Sequence, residues 1–375
     1  MSVIVASKEE VQKYYESEAL GQSKLKLLLG DISSFNKEFD SSAEHFLIGS
    51  AVDCILTNSR EAFNAEYYTS EIEKLPSDAI IEILKLVHEN LLEDYAESLE
   101  VITTEQETAS VTPFAEFVGE LGNWEAYILE ACERTGWQPR WGAEAKVKNI
   151  LVASDYFMDL CQSFGKTVIS QSQANTIHTI VASLTGNPRT ARYFDRRTLE
   201  DYAKVEVYYQ FPVYFEYRGV QCKALLDIVI VERNDAGEIT GVTPVDLKTM
   251  NGNTYYFPSS IKTRRYDIQA AWYTLALEKH FGPGLIKPFQ FVVESTSYQG
   301  KPLLFEVEQS LLEIGKKGIV PVILSDIDVV LKQEVLGYEQ LLDLYIYHSE
   351  NGFNEERAIQ EAGLQPLKVD WNGIK

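Results

Sequence analysis

Apolar positions recur at helical spacing over the first two hundred residues, after which the period shortens to two. Residues 9–37 read as helical, with Ser23 of "SKLKLLLG" as an N-cap and Gly30 as the stop. "SAEHFLIGSAVDCILTN" (42–58) predicts another apolar helix, and 78–99 and 113–163 continue the pattern on either side of a polar loop, "VITTEQETAS", that marks a linker or insertion boundary. "SQANTIHTIVASLTGNP" (172–188) is a capped helix closed by Gly186 and Pro188. From about residue 204 the chain becomes β-branched, aromatic and alternating, with turns at Arg218-Gly219 and Asp235-Ala236-Gly237. That texture predicts three consecutive antiparallel strands. A helix over about 264–281, strands over 289–296 and 302–308, and a helical tail from 309 complete the expectation. The pattern is a helical wrapping around one α/β core, without internal repeats.

Composition narrows the class. A hydrophobic fraction of 45% and 21 Tyr among 375 residues belong to a folded chain. The formal charge of −22 excludes a general nucleic-acid coat protein, because such affinity comes from Lys and Arg neutralising phosphates. It leaves room for an enzyme with a local basic channel. Four cysteines, none in a C-x-x-C pair, predict buried thiols in a reducing compartment rather than disulfides or a zinc ribbon. The five histidines show no ligand spacing. The first residues turn charged too early for a signal peptide and no apolar run is long enough to cross a bilayer, so a cytoplasmic, membrane-free protein is expected.

Charge inside the strands is where chemistry enters. Asp227 interrupts "LLDIVIV", and Asp246-Leu247-Lys248 ends the following strand. A hairpin closed at 234–238 would bring Asp227 near the level of Asp246, with Asp246 and Lys248 on one face. Buried carboxylates are costly without compensation. Two of them make a hard-oxygen site suited to Mg²⁺ or Mn²⁺, and the lysine can orient or deprotonate a water. The plain alternative is an Asp–Lys–Asp salt bridge across a sheet surface. On the next helix, Gln269 and Tyr273 are four apart and share a face.

This set, in this order, resembles the PD-(D/E)XK nuclease superfamily, in its RecB- and RecE-like exonuclease branch. The residues that carry the resemblance are Asp227, Asp246 with Lys248, and Gln269 with Tyr273. "SKLKLLLGDISSFNKEF", "FLIGSAVDCIL" and "ANTIHTIVASLTGNPRTARYF" are similar to further segments of the phage-type exonuclease domain, so the likeness spans roughly 20–310. It implies an α/β (α+β) fold, with a restriction-endonuclease-like central mixed sheet flanked by helices. One domain would cover 1–310 with a mostly helical insertion at about 75–150, and 311–375 would be a helical extension.

The resemblance also implies a function. It would be a Mg²⁺- or Mn²⁺-dependent deoxyribonuclease that digests linear duplex DNA 5′→3′ in phage or prophage recombination, in the cytoplasm of a bacterial host. A single-strand annealing protein would be its companion, and a homo-oligomeric ring its assembly. The metal would be held by Asp227, Asp246 and the Leu247 carbonyl. Where the family places His in a G-x-x-x-His helix, this chain has Gly49-x-x-x-Asp53, so Asp53 is expected as a further ligand. No cysteine follows Cys222, so the iron–sulfur cluster of some RecB-like nucleases is not expected.

Lys262, Arg264 and Arg265, together with Arg189, Arg192, Arg196 and Arg197, are local basic excesses on an acidic chain. They are candidates for a phosphate-tracking DNA surface, or for surface ion pairs. Glu216 is a lesser candidate acid. Two other readings stand beside the exonuclease. One is a nuclease-fold binding module that has lost cutting. The other is an endonuclease or repair nuclease, which closed circular DNA would reveal.

Overall fold

The computed structural model describes residues 2–30, 35, 44–105, 116, 118, 124–194, 204–319, 323–324, 329–330 and 335–353. Its contacts divide the chain into two compact units, Met1–Gly49 with Ala182–Lys375, and Ser50–Val181.

The first unit is α/β. Its sheet has six strands in sequence order: β1 (Ser2–Val5), β2 (Val205–Tyr217), β3 (Val220–Arg233), β4 (Ile239–Met250), β5 (Gln290–Ser295) and β6 (Leu303–Glu306). β1 is parallel to β2 and β4 to β5, and the other neighbours are antiparallel, so the sheet is mixed. β3 and β4 form its middle. In β3, Leu225, Leu226, Ile228 and Val229 are all buried, which requires cover on both faces. Asp227 sits within that run.

The turn between β3 and β4 fixes their register. Asn234 accepts from the amides of Ala236 and Glu238 through its side chain (both 3.0 Å), and Gly237 takes a φ of 81° that a branched residue would resist. A register shift beside Glu232 and Arg233 absorbs the loop, and the ladder then runs to Ile228 opposite Val245. One step further along are Asp227 and Asp246.

Parallel strands need a crossover, and helices Phe257–Arg264 and Tyr266–Phe281 provide it between β4 and β5. The second is the helix expected over about 264–281, and the first is an addition to it. Arg265 divides the two with a left-handed φ of 51°, a conformation that ends one helix and starts the next. The second helix is buried nearly all round, with Ile268, Ala270, Trp272, Ala276 and Leu277 each inaccessible. Helix Gln309–Lys317 approaches it so closely that a Cβ on Gly315 would lie 2.1 Å from the Asp267 carbonyl oxygen.

The N-terminal segment departs from the expected helix over 9–37. Ser2–Val5 is an edge strand, and helix Lys8–Glu16 begins at a Ser7/Glu10 capping box. The chain then leaves the helix because Leu20 pairs with β3, its amide bonding Gln221 and its carbonyl receiving Lys223. Lys223 also donates its ammonium to the Tyr14 and Ser17 carbonyls at the helix end. Gly21 therefore caps the next helix, Gln22–Lys26, and Ser23 lies inside it rather than at its N-cap. Part of the expected helix, at 31–34 and 36–37, lies outside the described residues.

Beyond 309 the helices Gln309–Lys317 and Tyr338–Asn351 form, separated by a short antiparallel pair, Ile323–Leu324 with Val329–Val330. Tyr338, Leu341 and Leu342 join the core that contains Trp272, so this part of the tail folds with the sheet.

The second unit is mostly helical. Helices Asp78–Glu105, Glu125–Arg134, Ala143–Leu151 and Ser154–Gln162 surround a core that includes Leu84, Val87, Ile128, Ile150 and Phe157. Strands Tyr67–Thr69 and Thr167–Ile169 pair in parallel beside it. The insertion expected at 75–150 lies within this unit. The polar stretch 101–110 is helical up to Glu105, against the expectation of a loop.

The Gly315 contact gives a stability test. Gly315→Ala should lower stability by roughly 1–3 kcal/mol, because a methyl group there would be driven into the Asp267 carbonyl of the facing helix. Gly186→Ala, with open space around its Cβ, is the control. Urea unfolding should separate the two, and equal midpoints would mean the helices are not in contact at Gly315.

Candidate active site

The register established by the Asn234 turn brings the strand carboxylates together. Asp227 reaches across to β4 and accepts the Leu247 amide through Oδ2 at 2.9 Å. Its neighbour on the other side is irregular too. Gln210, in line with Asp227 on β2, is skipped by the ladder and has a left-handed φ of 52°. Asp246 is 1% exposed and accepts the Gln269 side-chain amide on Oδ1 at 2.8 Å. The Lys248 ammonium forms an ion pair with Asp246 Oδ2 and lies 5.1 Å from the centre of the Tyr266 ring. Tyr273 is in hydrogen-bond contact with Gln269. Asp227, Asp246, Lys248, Gln269 and Tyr273 thus occupy one locality in the first unit.

Proximity changes how these groups titrate. Burial and the charge of Asp246 push the Asp227 carboxyl up to about 7, against the pull of Lys248 and the Leu247 amide. Burial also raises Asp246, against Lys248 and Lys26. For Lys248, burial disfavours the charge, but Asp246 and Asp227 outweigh it and hold the ammonium well above its ordinary range. Lys248 is therefore held as an ammonium at neutral pH in this set of groups. Burial, with Tyr14, Asp246 and Asp227, raises Tyr273 far enough to keep it a neutral phenol.

The donor set suits a hard divalent cation. Asp246 Oδ2 is buried and receives no hydrogen bond of good geometry, so it keeps lone pairs for an ion beside the Lys248 contact. A carboxylate pair is what Mg²⁺ or Mn²⁺ uses when water and substrate oxygens complete the shell. Among the described residues, no group of three or more His, Cys, Asp or Glu is arranged to hold a metal ion. Helix Glu44–Asp53 passes β4 at Gly49, where a Cβ would meet Thr249 Oγ1 at 3.1 Å. Asp53 itself falls in the Ser50–Val181 unit, where its charge acts on Tyr67 together with Cys54 and Glu66.

The structure adds Lys26, which the sequence reading passed over. Its ammonium lies 3.4 Å from the Arg264 carbonyl, 238 residues away in sequence. Burial and the Lys248 charge lower it to about 8, against Asp246 and Asp267. Nothing local in "SKLK" separates Lys26 from Lys24. Only the docking of Leu20 on β3 decides which of them faces the carboxylates.

The basic candidates divide. Lys262 and Arg264 are exposed at the end of the first crossover helix. Arg265 is turned inward, its guanidinium held by both Asp267 oxygens and the Leu336 carbonyl, with a side chain 14% exposed. Its Nε and Nη2 donors are thus engaged within the fold. Arg189 is exposed, and Arg192 lies over the Tyr193 ring at 4.7 Å. Arg196 and Arg197 lie outside the described residues. Glu216 pairs with Gln221, six positions along the sheet from Asp227, and is exposed. At ~3.3 Å per residue the two acids are roughly 20 Å apart along the strand, so Glu216 is not part of the site.

Titration of Asp227 gives a stability prediction. An unfolded aspartate releases its proton near pH 4 (~3.9), whereas the folded one keeps it to about 7. The folded state binds more protons over that window, so its stability falls as pH rises from about 4 through 7. Asp227→Asn removes this loss and still accepts the Leu247 amide. In chelator it should melt roughly 3 °C or more above wild type at pH 8, with little difference at pH 4. A melting difference independent of pH would show that Asp227 is not held in this environment.

The sequence matches no protein-family model and no curated protein. Seven chains of solved structures match it. They include one described as a "Putative exonuclease" from Eubacterium rectale, at 12% identity, covering 98% of this chain and 99% of that one, with a TM-score of 0.45.

Proposed function

We propose that the protein is a divalent-metal-dependent nuclease that hydrolyses DNA phosphodiester bonds from the ends of linear duplexes. The observation that carries this reading is the meeting of Asp227 and Asp246 at the centre of a sheet, with Lys248 as their counter-ion and Gln269 fixing one carboxylate. A structural ion pair would need one acid and one base. The second buried acid, raised by the first, gains from a cation of higher charge.

Asp227, Asp246 and the Leu247 carbonyl would hold Mg²⁺ or Mn²⁺. Such an ion supplies Lewis acidity, lowering the pKa of a water and neutralising phosphate oxygens. The protein's own groups have separate tasks. Gln269 donates to Asp246 Oδ1 and leaves Oδ2 directed into the site. Lys248 remains an ammonium that can donate to a phosphate oxygen as negative charge builds there. Tyr273 offers a neutral hydroxyl beside Gln269 and orients that amide. Lys26 adds a second cation that gains its proton fully when a phosphate approaches. The resemblance of the motif order to RecE-like exonucleases supports 5′→3′ polarity, an annealing-protein companion and ring assembly.

End-labelled linear duplex and closed circular DNA should be compared with Mg²⁺, Mn²⁺ or EDTA. Linear DNA should be degraded with either metal, circles should survive, and EDTA should abolish activity. Nicked circles would favour the endonuclease reading, and full activity in EDTA would refute the metal-dependent mechanism.

Lys248→Ala should lose on the order of 10²-fold or more in turnover while Mg²⁺ still raises its melting temperature. Turnover close to wild type would return Lys248 to a purely structural ion pair.

A further inference from the structure

Two loops leave the sheet next to Lys248, one after β4 and one after the parallel strand β5. They are joined by hydrogen bonds. The Gly252 amide donates to Ser297 Oγ (2.9 Å), Ser295 Oγ donates to the Gly252 carbonyl (2.6 Å), and Thr254 Oγ1 donates to the Lys301 carbonyl (3.1 Å). Phe257 anchors the first loop from below, 1% exposed and 5.3 Å from the Phe291 ring. On this braced base, Tyr255, Tyr256 and Tyr298 stand 72%, 71% and 66% exposed. Their exposure is built into the loops rather than the result of a loose segment.

The charge around them is as unusual as the rings. The chain holds 56 acidic residues in 375, yet none occurs from Leu247 to Tyr266 or from Ser295 to Lys301. Of the basic residues in those segments, Lys262, Arg264 and Lys301 are exposed, while Lys248 and Arg265 are paired with Asp246 and Asp267. Polar side chains, among them Asn251, Asn253, Ser297 and Gln299, flank the tyrosines in sequence. Exposed rings on an acid-free, basic ground suit a polyanion that carries flat bases.

We infer that Tyr255, Tyr256 and Tyr298 form a stacking platform for single-stranded DNA, where the strand entering or leaving the Asp227–Asp246–Lys248 centre rests its bases. The platform rests on the nuclease reading and deepens it. Bases stack on the tyrosine rings, while Lys301 and the exposed Lys262 and Arg264 face the backbone phosphates. Because every base has a π-face, the platform holds DNA without sequence preference.

The test is fluorescence anisotropy of an end-labelled oligothymidylate of about 20 nucleotides and of a blunt duplex, both in EDTA so that nothing is cut. Three proteins are compared: wild type, the triple Tyr255→Ala/Tyr256→Ala/Tyr298→Ala variant, and the corresponding triple Phe variant. The Ala variant should bind the single strand about tenfold or more weakly and the duplex within about twofold of wild type, and the Phe variant should bind as wild type does. The platform is overturned if wild type binds no oligothymidylate, if the Ala variant binds it equally well, if duplex binding falls as much, or if Phe is no better than Ala. Cleavage of linear DNA by wild type, measured on the same preparations, separates the two readings. Cutting with unchanged Ala-variant affinity removes the platform alone, and the predicted affinity loss without cutting removes the nuclease alone.

Discussion

Two carboxylates cannot share the middle of an apolar sheet unless their charge is held, and the Lys248 ammonium holds it. Asp246 and Asp227 keep the lysine protonated, and it in turn keeps them from rising further. Removing either side leaves a buried charge unpaired, a loss of about 3–5 kcal/mol in comparable sites. Around this contact the fold supplies fixed donors. The Leu247 amide serves Asp227 and the Gln269 side chain serves Asp246. The site is thus satisfied enough to fold, with Asp246 Oδ2 buried and receiving no hydrogen bond of good geometry.

The sheet makes that balance possible through connectivity. β3 and β4 are joined by a short turn, so their register is set locally, whereas β5 can lie parallel to β4 only after the crossover helices. The same crossover that satisfies the parallel pairing carries Gln269 and Tyr273 back over the carboxylates. Arg265 sets the angle of that return. Its left-handed backbone divides the crossover, and its guanidinium ties the start of the second helix to Asp267 and Leu336.

Net charge and local charge tell different stories in this chain. At −22 the molecule as a whole repels polyanions, and over distances beyond a Debye length of ~10 Å at 0.1 M salt that repulsion is screened. At contact range only the local ground matters, and the segments Leu247–Tyr266 and Ser295–Lys301 contain no acid.

The sequence by itself determined the elements around the carboxylates. Strong alternation, the Asn234–Gly237 turn and the i, i+4 placement of Gln269 and Tyr273 are local signals, written in adjacent residues, and they predicted β2 to β6 and the long crossover helix. The meeting of Asp227, Asp246 and Lys248 was legible because a hairpin's register follows from its turn, and Gln269 and Tyr273 were added to them by the resemblance in motif order. Contacts made by distant segments were not legible. The edge strand Ser2–Val5 needs Glu206 to Tyr209 as a partner, and the break near Leu20 needs β3. Arg264 and Arg265 look alike in sequence, yet one is exposed and the other is enclosed by Asp267 and the Leu336 carbonyl. Lys26 reaches the site only because Leu20 docks on a strand two hundred residues later. Periodicity records which face of an element is apolar; which partner covers that face depends on long-range packing, and tertiary structure alone decided it.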